Sequence, residues 1–150
     1  MVEKTVIGRK DKADFPEFGF ENIDVKIDTG AYSSALHCHL IEEVNISERK
    51  VLKFRFLDPS HPEYEERDFF AKKYDVKKVK SSSGEVETRY MIETTLVLFG
   101  ESITTEFTLA DRETMKIPVL LGRKLLRHRF VVDVVKKNLS YKKKLKKKKK

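Results

Sequence analysis

The sequence predicts an all-β domain, built as a barrel or a sandwich, with one short helix near its C-terminal end. Three observations support this fold class. Residues 23–27 alternate apolar and charged side chains, as a half-buried strand does. Two β-prone runs, at residues 91–99 and 103–109, flank a turn that contains Gly100 and so predict a hairpin. No amphipathic helical pattern of substantial length accompanies them.

The first half of the chain contributes further strands. A short apolar run at residues 6–7 starts the first strand, and residues 51–57 form a later one. Two prolines within residues 58–62 end that strand because proline cannot donate a ladder hydrogen bond. The charged segment 63–80 has no clear period. It leads to the turn signal Ser-Ser-Ser-Gly at residues 81–84.

The C-terminal third predicts a strand, a helix and a strand. Residues 118–122 are a short apolar run that suits a buried strand. Helix-forming residues at 123–128 could make about two turns. Residues 130–135 then return to the composition of a strand.

Length and composition are those of one folded domain. A chain of 150 residues with 39% hydrophobic residues can bury one core, and we place it at residues 1–135. The sequence has no apolar run of membrane-spanning length and no secretory apolar segment near Met1. The single cysteine, Cys38, cannot form an internal disulfide. We therefore expect a soluble, cytoplasmic protein that does not enter the membrane.

The net charge of +8 is concentrated at the C-terminal end. Residues 136–150 hold ten lysines and no acidic residue, which leaves 22 basic and 24 acidic residues in the rest of the chain. Blocks of like charge repel one another, so we expect residues 136–150 to be a disordered tail. The tail is either a solvated terminus or an electrostatic binding segment for a polyanion, namely RNA, the ribosome or an acidic peptide.

The sequence Asp28-Thr29-Gly30 follows the predicted strand at residues 23–27. Gly30 permits close approach of the backbone, and the Thr29 hydroxyl can hold its neighbours by a side-chain to backbone bond. Asp28 is therefore placed where a loop could hold a catalytic carboxylate. The same tripeptide is also ordinary turn chemistry, so both interpretations remain open on these residues alone.

A second segment lies about 90 residues downstream, where Leu120-Leu121-Gly122-Arg123 supplies two apolar residues, a glycine and the start of a helix. Together with Asp28-Thr29-Gly30-Ala31, this segment resembles the two core elements of the retropepsin-like aspartic proteases. The resemblance implies a closed acid-protease barrel. It also implies that Asp28 is catalytic and that its loop is supported by these residues: Thr29, Gly30, Ala31, Ser33, Leu121, Gly122 and Arg123.

A narrower resemblance extends over residues 4–135. Residues 7–9, 14–19, 26–37 and 118–123 are similar to the family labelled ATP-dependent zinc protease. Members of that family are retropepsin-like and are often linked to ATP-grasp glutamate ligases that modify ribosomal proteins. The resemblance implies an aspartic endopeptidase acting on peptides or proteins, including glutamate-rich or glutamylated tails, and an association with such a ligase.

One chain carries one such loop, so the resemblance implies a homodimer in which both subunits contribute Asp28. The two carboxylates would share one proton, one acting as general base and the other as general acid. The sequence departs from many retropepsins at Tyr32, which replaces a second acid after the alanine, so Arg123 needs another partner. The substrate flap is expected at residues 81–84, although an ordinary surface turn fits the same residues.

Neither zinc nor ATP is expected to bind this chain. The only dense group of potential metal ligands is His37-Cys38-His39, and in a strand only its two histidines would share a face. His61 and His128 are distant in sequence, and no H-E-x-x-H motif occurs. Gly8-Arg9-Lys10 lacks the upstream glycine of a phosphate-binding loop. The sequence therefore predicts no metal and no cofactor, and ATP dependence would come from a partner.

An alternative from another functional class fits the same sequence. The chain would be a non-catalytic binding module that keeps the retropepsin fold and docks on the ribosome, RNA or acidic proteins through residues 136–150. Salt-sensitive RNA binding that survives Asp28→Asn would favour this alternative, whereas peptide cleavage abolished by that substitution would favour the enzyme.

Overall fold

The computed structural model describes residues 3–80, 83–111 and 116–148. Strands dominate it, as the sequence predicts. The strands are β1 (Thr5–Ile7), β2 (Lys10–Phe15), β3 (Phe20–Ile27), β4 (Ser34–Ile46), β5 (Arg49–Phe56), β6 (Phe69–Ala71), β7 (Asp75–Lys80), β8 (Val86–Leu98), β9 (Glu101–Ala110), β10 (Val119–Leu121) and β11 (Phe130–Val132). The helices are α1 (Arg123–Leu126) and α2 (Leu139–Lys148).

Six strands close into a barrel in the order β10, β3, β2, β8, β9 and β4. The short strand β10 closes the ring because it pairs with β3 in parallel and with β4 in an antiparallel register. The prediction of an all-β closed barrel with a short helix near the C-terminal end is confirmed. Closure leaves no open edge within this ring.

Three additions extend the barrel. The second half of β4 pairs with β5, and β6 pairs with the far edge of β5. The first half of β8 pairs with β7 to form a hairpin that projects beyond β9. β1 and β11 form a separate two-stranded parallel sheet. Of these additions, the β7–β8 hairpin lies beside the Asp28 loop.

The barrel is filled by aromatic and branched side chains. Phe15, Phe56 and Phe107 are buried, and the centre of the Phe15 ring lies 5.4 Å from that of Phe56 and 6.2 Å from that of Phe107. Burial of such rings supplies much of the stabilising free energy of a domain this size. The predicted hairpin of β8 and β9 is present, and its two-residue turn is formed by Phe99 and Gly100, which both have positive φ.

The C-terminal tail differs from its prediction. Residues 139–148 form α2, which packs on β2, so the tail is not disordered over this range. The Asp11 carboxylate accepts hydrogen bonds from the backbone N–H groups of Ser140 (2.9 Å) and Tyr141 (3.1 Å) and thereby caps the helix. Lys144 pairs with Asp14 at 2.9 Å. Contacts with β2 thus offset the repulsion between lysines.

Two further predictions need adjustment. The strand predicted at residues 130–135 ends at Val132, because Asp133 begins a turn in which its carboxylate accepts a bond from the Val135 N–H. The segment 63–80, which has no clear sequence pattern, contains β6 and β7. Among the described residues, no helix has the length and apolar character that crossing a membrane requires.

Candidate active site

The Asp28 loop occupies residues 28–33, between the end of β3 and the start of β4. β10 runs between these two strands and pairs Leu121 with Ile27 and Leu120 with Ala35. The Asp28 N–H donates to the Leu121 carbonyl oxygen at 2.9 Å. The barrel topology therefore brings together the two sequence segments that are about 90 residues apart.

The Asp28 side chain is half-buried, and one of its carboxylate oxygens is held in place. Oδ1 accepts a hydrogen bond from the Gly30 N–H at 3.0 Å. Oδ2 makes no hydrogen bond to any residue that the structure describes. A carboxylate fixed through one oxygen and uncommitted at the other can bind a water molecule or a second carboxyl group.

Gly122 lies directly behind the loop. A Cβ atom added at this position would come within 2.6 Å of the carbonyl oxygens of Tyr32 and Ser33. The Gly122 N–H donates to the hydroxyl of Ser34 at 3.0 Å, and this bond is buried. Leu121 is fully buried beneath the same contact. Close packing of two backbones therefore fixes the position of the loop relative to β10.

Two of the expected loop contacts differ in detail. Ser33 is exposed and contributes its backbone, whereas Ser34, which sequence reasoning did not single out, supplies the hydroxyl that binds Gly122. Thr29 is also exposed, and its hydroxyl makes no hydrogen bond within the described part of the chain. The bond from Gly30 to Asp28 takes the place of the predicted Thr29 contact.

Tyr32 cannot form an ion pair with Arg123, and Arg123 contacts other groups in this loop. Its guanidinium donates to the Thr29 carbonyl oxygen at 3.0 Å and lies 5.9 Å from the centre of the Tyr32 ring. The Arg123 backbone N–H donates to Ala31 at 2.8 Å. Arg127 contacts the same tyrosine ring from 5.7 Å. A cation–π arrangement thus replaces the ion pair that is lost at this position.

A cleft of about 520 Å³ opens beside Asp28. One wall is formed by β9 and the start of β4, and the other by residues 87–90 of the β7–β8 hairpin. Gly84, near the hairpin tip, has a φ of +87°. The flap predicted at residues 81–84 therefore belongs to a hairpin that borders the cleft. Residues 81 and 82 lie outside the described residues, and a function as flap stays a prediction.

The hairpin is tied to β4 through tyrosines. Tyr74 donates to the Glu43 carboxylate at 2.7 Å, and this hydrogen bond raises the pKa of Tyr74 to about 12. Burial and the nearby Glu43 charge raise the pKa of Tyr90, which lines the cleft. Both hydroxyls therefore remain protonated donors at neutral pH, and they hold the base of the hairpin against the barrel extension.

Comparison with known protein families agrees with this geometry. A family model described as RimB-like, retropepsin-like aspartic endopeptidase RimB, matches residues 6–143. The chain belongs to the RimB-like family. The match includes the Asp28 loop, β10 and the first half of α2. The predicted retropepsin-like relationship is confirmed, whereas the narrower label of an ATP-dependent zinc protease is not part of the family description.

Curated relatives of this RimB-like chain carry another name. A protein named probable alpha-L-glutamate ligase from Parasynechococcus marenigrum is 31% identical over 137 residues, which is 89% of this chain and 28% of the relative. A protein of the same name from Shewanella halifaxensis is 31% identical over 134 residues, 87% of this chain and 28% of the relative. The chain thus spans little more than a quarter of the length of these relatives.

A solved structure shares the fold. The crystal structure of a Legionella pneumophila protein described as having unknown function superposes with a TM-score of 0.73 at 24% sequence identity. The similarity covers 92% of the RimB-like chain and 99% of the Legionella protein. At this identity the comparison establishes the barrel architecture and says nothing about activity.

Proposed function

We propose that this chain is an aspartic peptidase that hydrolyses amide bonds with a pair of Asp28 carboxylates, one from each subunit of a homodimer. The observation that carries the proposal is the position of Asp28, half-buried beside a cleft with one carboxylate oxygen held by Gly30 and the other uncommitted. Membership of the RimB-like family supports the same chemistry. No metal ion and no covalent intermediate take part in it.

The need for a second subunit follows from the chemistry of the reaction. Hydrolysis by carboxylates requires a general base to activate water and a general acid to protonate the carbonyl oxygen. Glu87 and Asp111 also line the cleft, but neither contacts Asp28 in the described structure. Asp28 of the partner subunit is the second group that matches the first in environment and loop geometry.

The paired arrangement assigns a function to each carboxyl group. Two charges about 3 Å apart repel by about 5 kcal/mol at an effective dielectric constant near 20, so one proton is retained between them. The ionised Asp28 takes a proton from the water that attacks the peptide carbonyl. The protonated Asp28 of the partner subunit donates to the carbonyl oxygen, and the proton held by the pair then reaches the leaving amine.

Glutamate-rich or glutamylated protein tails are the proposed substrates. The relatives named probable alpha-L-glutamate ligase contain a segment similar to this chain within a much longer polypeptide, which supports a functional link to glutamate addition. The exposed lysines of α2 provide an electrostatic attraction for acidic tails. The same link supports association of this chain with an ATP-grasp glutamate ligase.

The cleft itself contributes little to this preference. Its described lining contains the acids Asp28, Glu87 and Asp111, and Arg89 is the only basic side chain among these residues. Arg89 is paired with Glu87 at 3.4 Å. The lining therefore has an excess of acidic side chains that disfavours glutamates beside Asp28, so the preference for acidic tails would come from α2, which attracts the acidic part of the substrate from outside the cleft.

A subunit-mixing experiment tests the proposal. Wild-type chain and Asp28→Asn chain are combined in equal amounts, allowed to exchange subunits, and assayed on a glutamate-rich peptide by mass spectrometry. A shared dyad predicts activity of about one quarter of an all-wild-type sample of the same total concentration, whereas independent sites predict about one half. Circular dichroism of Asp28→Asn alone checks that the fold is kept.

The outcome separates the proposed enzyme from a binding module. Activity that survives in pure Asp28→Asn, or that falls only to about one half in the mixture, would contradict the shared dyad. A chain without any peptidase activity that binds RNA in a salt-sensitive manner would instead match the binding module, for which the lysines of α2 are the supporting observation.

A further inference from the structure

Three potential metal ligands outside the Asp28 loop converge in the structure. His37 lies on β4, whereas Asp58 and His61 lie in the loop that follows β5. One ligand atom from each of these side chains lies within 4.8 Å of the other two. His37 is fully buried and Asp58 is 9% exposed. His61 is distant from His37 in sequence, which is why the sequence predicts no metal site, but the turn after β5 brings His61 back to β4.

Other contacts orient the His37 and Asp58 side chains and hold the turn that carries His61. His37 donates from Nδ1 to the Ala110 carbonyl oxygen at 3.1 Å, which directs Nε2 towards Asp58. The Asp58 oxygen Oδ1 accepts bonds from the backbone N–H and the hydroxyl of Ser60, which leaves Oδ2 directed at His37. The His61 N–H donates to the Asp58 carbonyl oxygen at 3.0 Å. Such outer contacts fix the orientation of metal ligands in known sites.

The two ring nitrogens of His37 face different oxygen atoms. Because a carbonyl oxygen only accepts hydrogen bonds, Nδ1 of His37 carries a proton, and Nε2 then faces a carboxylate. Nε2 of His37 and Oδ2 of Asp58 therefore face each other as two potential ligand atoms.

His61 provides the observation that points to a bound metal ion. Its Nε2 atom is buried and has no hydrogen-bond partner among the described residues. A buried nitrogen without a hydrogen-bond partner is unfavourable, so this atom needs a partner that the described residues do not supply. A metal ion bound by both imidazoles and by the carboxylate satisfies all three groups at once.

We propose that His37, Asp58 and His61 form a binding site for one divalent transition-metal ion such as Zn²⁺ or Co²⁺. Two imidazole nitrogens and one carboxylate oxygen are a donor set that suits these ions, and a fourth position remains for water. The site connects β4 of the barrel to the loop that ends β5, so the ion stabilises the junction between the barrel and its β5–β6 extension. It lies behind Ala110, a residue of the cleft wall, and takes no part in the Asp28 chemistry.

Cobalt titration of the full chain tests this site. After treatment with a chelator and its removal, Co²⁺ is added while visible absorption is recorded, and Zn²⁺ is then added as a competitor. We expect one Co²⁺ per chain, an absorption band of low-symmetry coordination, and its loss on addition of Zn²⁺. A wild-type chain that binds no Co²⁺ in stoichiometric amount would overturn the proposal, whether or not the variants fold.

Two substitutions locate the ion. His61→Phe keeps a ring of similar size in a loop but removes one ligand, and it should weaken Co²⁺ binding at least tenfold. His128→Asn is the matched control, because His128 is exposed, lies outside the cluster and has a φ of +70° that asparagine tolerates. Equal Co²⁺ affinity in His61→Phe and the wild type would contradict the site. Co²⁺ binding is measured without reference to peptidase activity, so its result is independent of the proposed function.

Discussion

At the scale of single residues, Gly122 shows how a backbone contact can determine the geometry of the candidate site. Its φ of −93° is accessible to any residue, so the requirement for glycine is steric and not conformational. The carbonyl oxygens of Tyr32 and Ser33 occupy the space that a side chain would need. The position of the Asp28 loop therefore depends on the absence of a side chain at Gly122.

We predict that Gly122→Ala destabilises the fold by about 2 kcal/mol or more, because the added methyl group would overlap two backbone oxygens that cannot rotate away. Urea unfolding followed by circular dichroism measures the loss. Gly100→Ala is the control: its Cβ would meet nothing within 4 Å, but its φ of +74° costs a side chain about 1 kcal/mol. A smaller loss at Gly122 than at Gly100 would contradict the steric explanation.

At the scale of secondary structure, α2 shows why a local reading of the sequence fails. The lysine-rich composition of residues 139–148 predicts repulsion, and nothing within that segment supplies a capping acid. The cap comes from Asp11, 129 residues earlier than Ser140. The Ser140 hydroxyl in turn accepts a hydrogen bond from the Phe99 N–H at 2.8 Å. A helix that is stabilised by tertiary contacts of this kind cannot be predicted from the sequence of its own segment.

Removal of the cap should release α2. We predict that Asp11→Ala lowers the free energy of unfolding by about 1–2 kcal/mol and increases the rate of tryptic cleavage within residues 139–148. Glu42→Ala is the control, since Glu42 lies on β4 and pairs at 3.3 Å with Lys53 of β5, and neither strand packs on α2 within the described residues. Cleavage of α2 at the same rate in both variants would show that Asp11 does not hold the helix.

Exposed lysines of α2 should act on the substrate through charge. We predict that the double substitution Lys143→Gln and Lys147→Gln raises KM for a glutamate-rich peptide about threefold at low salt and has little effect at high salt, where screening removes the attraction. Lys72→Gln with Lys73→Gln changes the net charge equally on another exposed segment and serves as control. Equal KM values for the two double variants would show that the lysines of α2 do not specifically attract the acidic peptide.

At the scale of the whole molecule, the local elements of the fold can be predicted from the sequence. The strand pairing that closes the barrel cannot. The β8–β9 hairpin, β10 and α1 follow from turn residues and short periodic runs, and the two segments of the Asp28 site follow from a motif. Barrel closure through the pairing of β10 with both β3 and β4 is not visible in any single run. The same holds for His61, which reaches His37 only through the turn at residues 58–61.

The proposed homodimer needs a contact surface at the end of the barrel that carries Asp28. The Ile27 N–H donates to the Arg9 carbonyl oxygen at 2.9 Å, so β1, which precedes Arg9, extends beyond the end of β3 at which the Asp28 loop begins. β1 and β11 form a two-stranded ribbon there. Val6 and Val131 are paired on one face of it and are 44% and 52% exposed.

An apolar face of this kind, at the end where two Asp28 loops must meet, is the surface we expect a second copy to cover. We predict that Val131→Lys weakens self-association at least tenfold and lowers peptidase activity in parallel, because charged side chains would be placed in the interface. Sedimentation at several concentrations measures the association. Ile46→Lys is the control, since Ile46 is 46% exposed at the distant β4–β5 turn. Monomeric protein that keeps full activity would show that one Asp28 suffices and that the shared dyad is wrong, whereas restored activity at high protein concentration would tie catalysis to the ribbon contact.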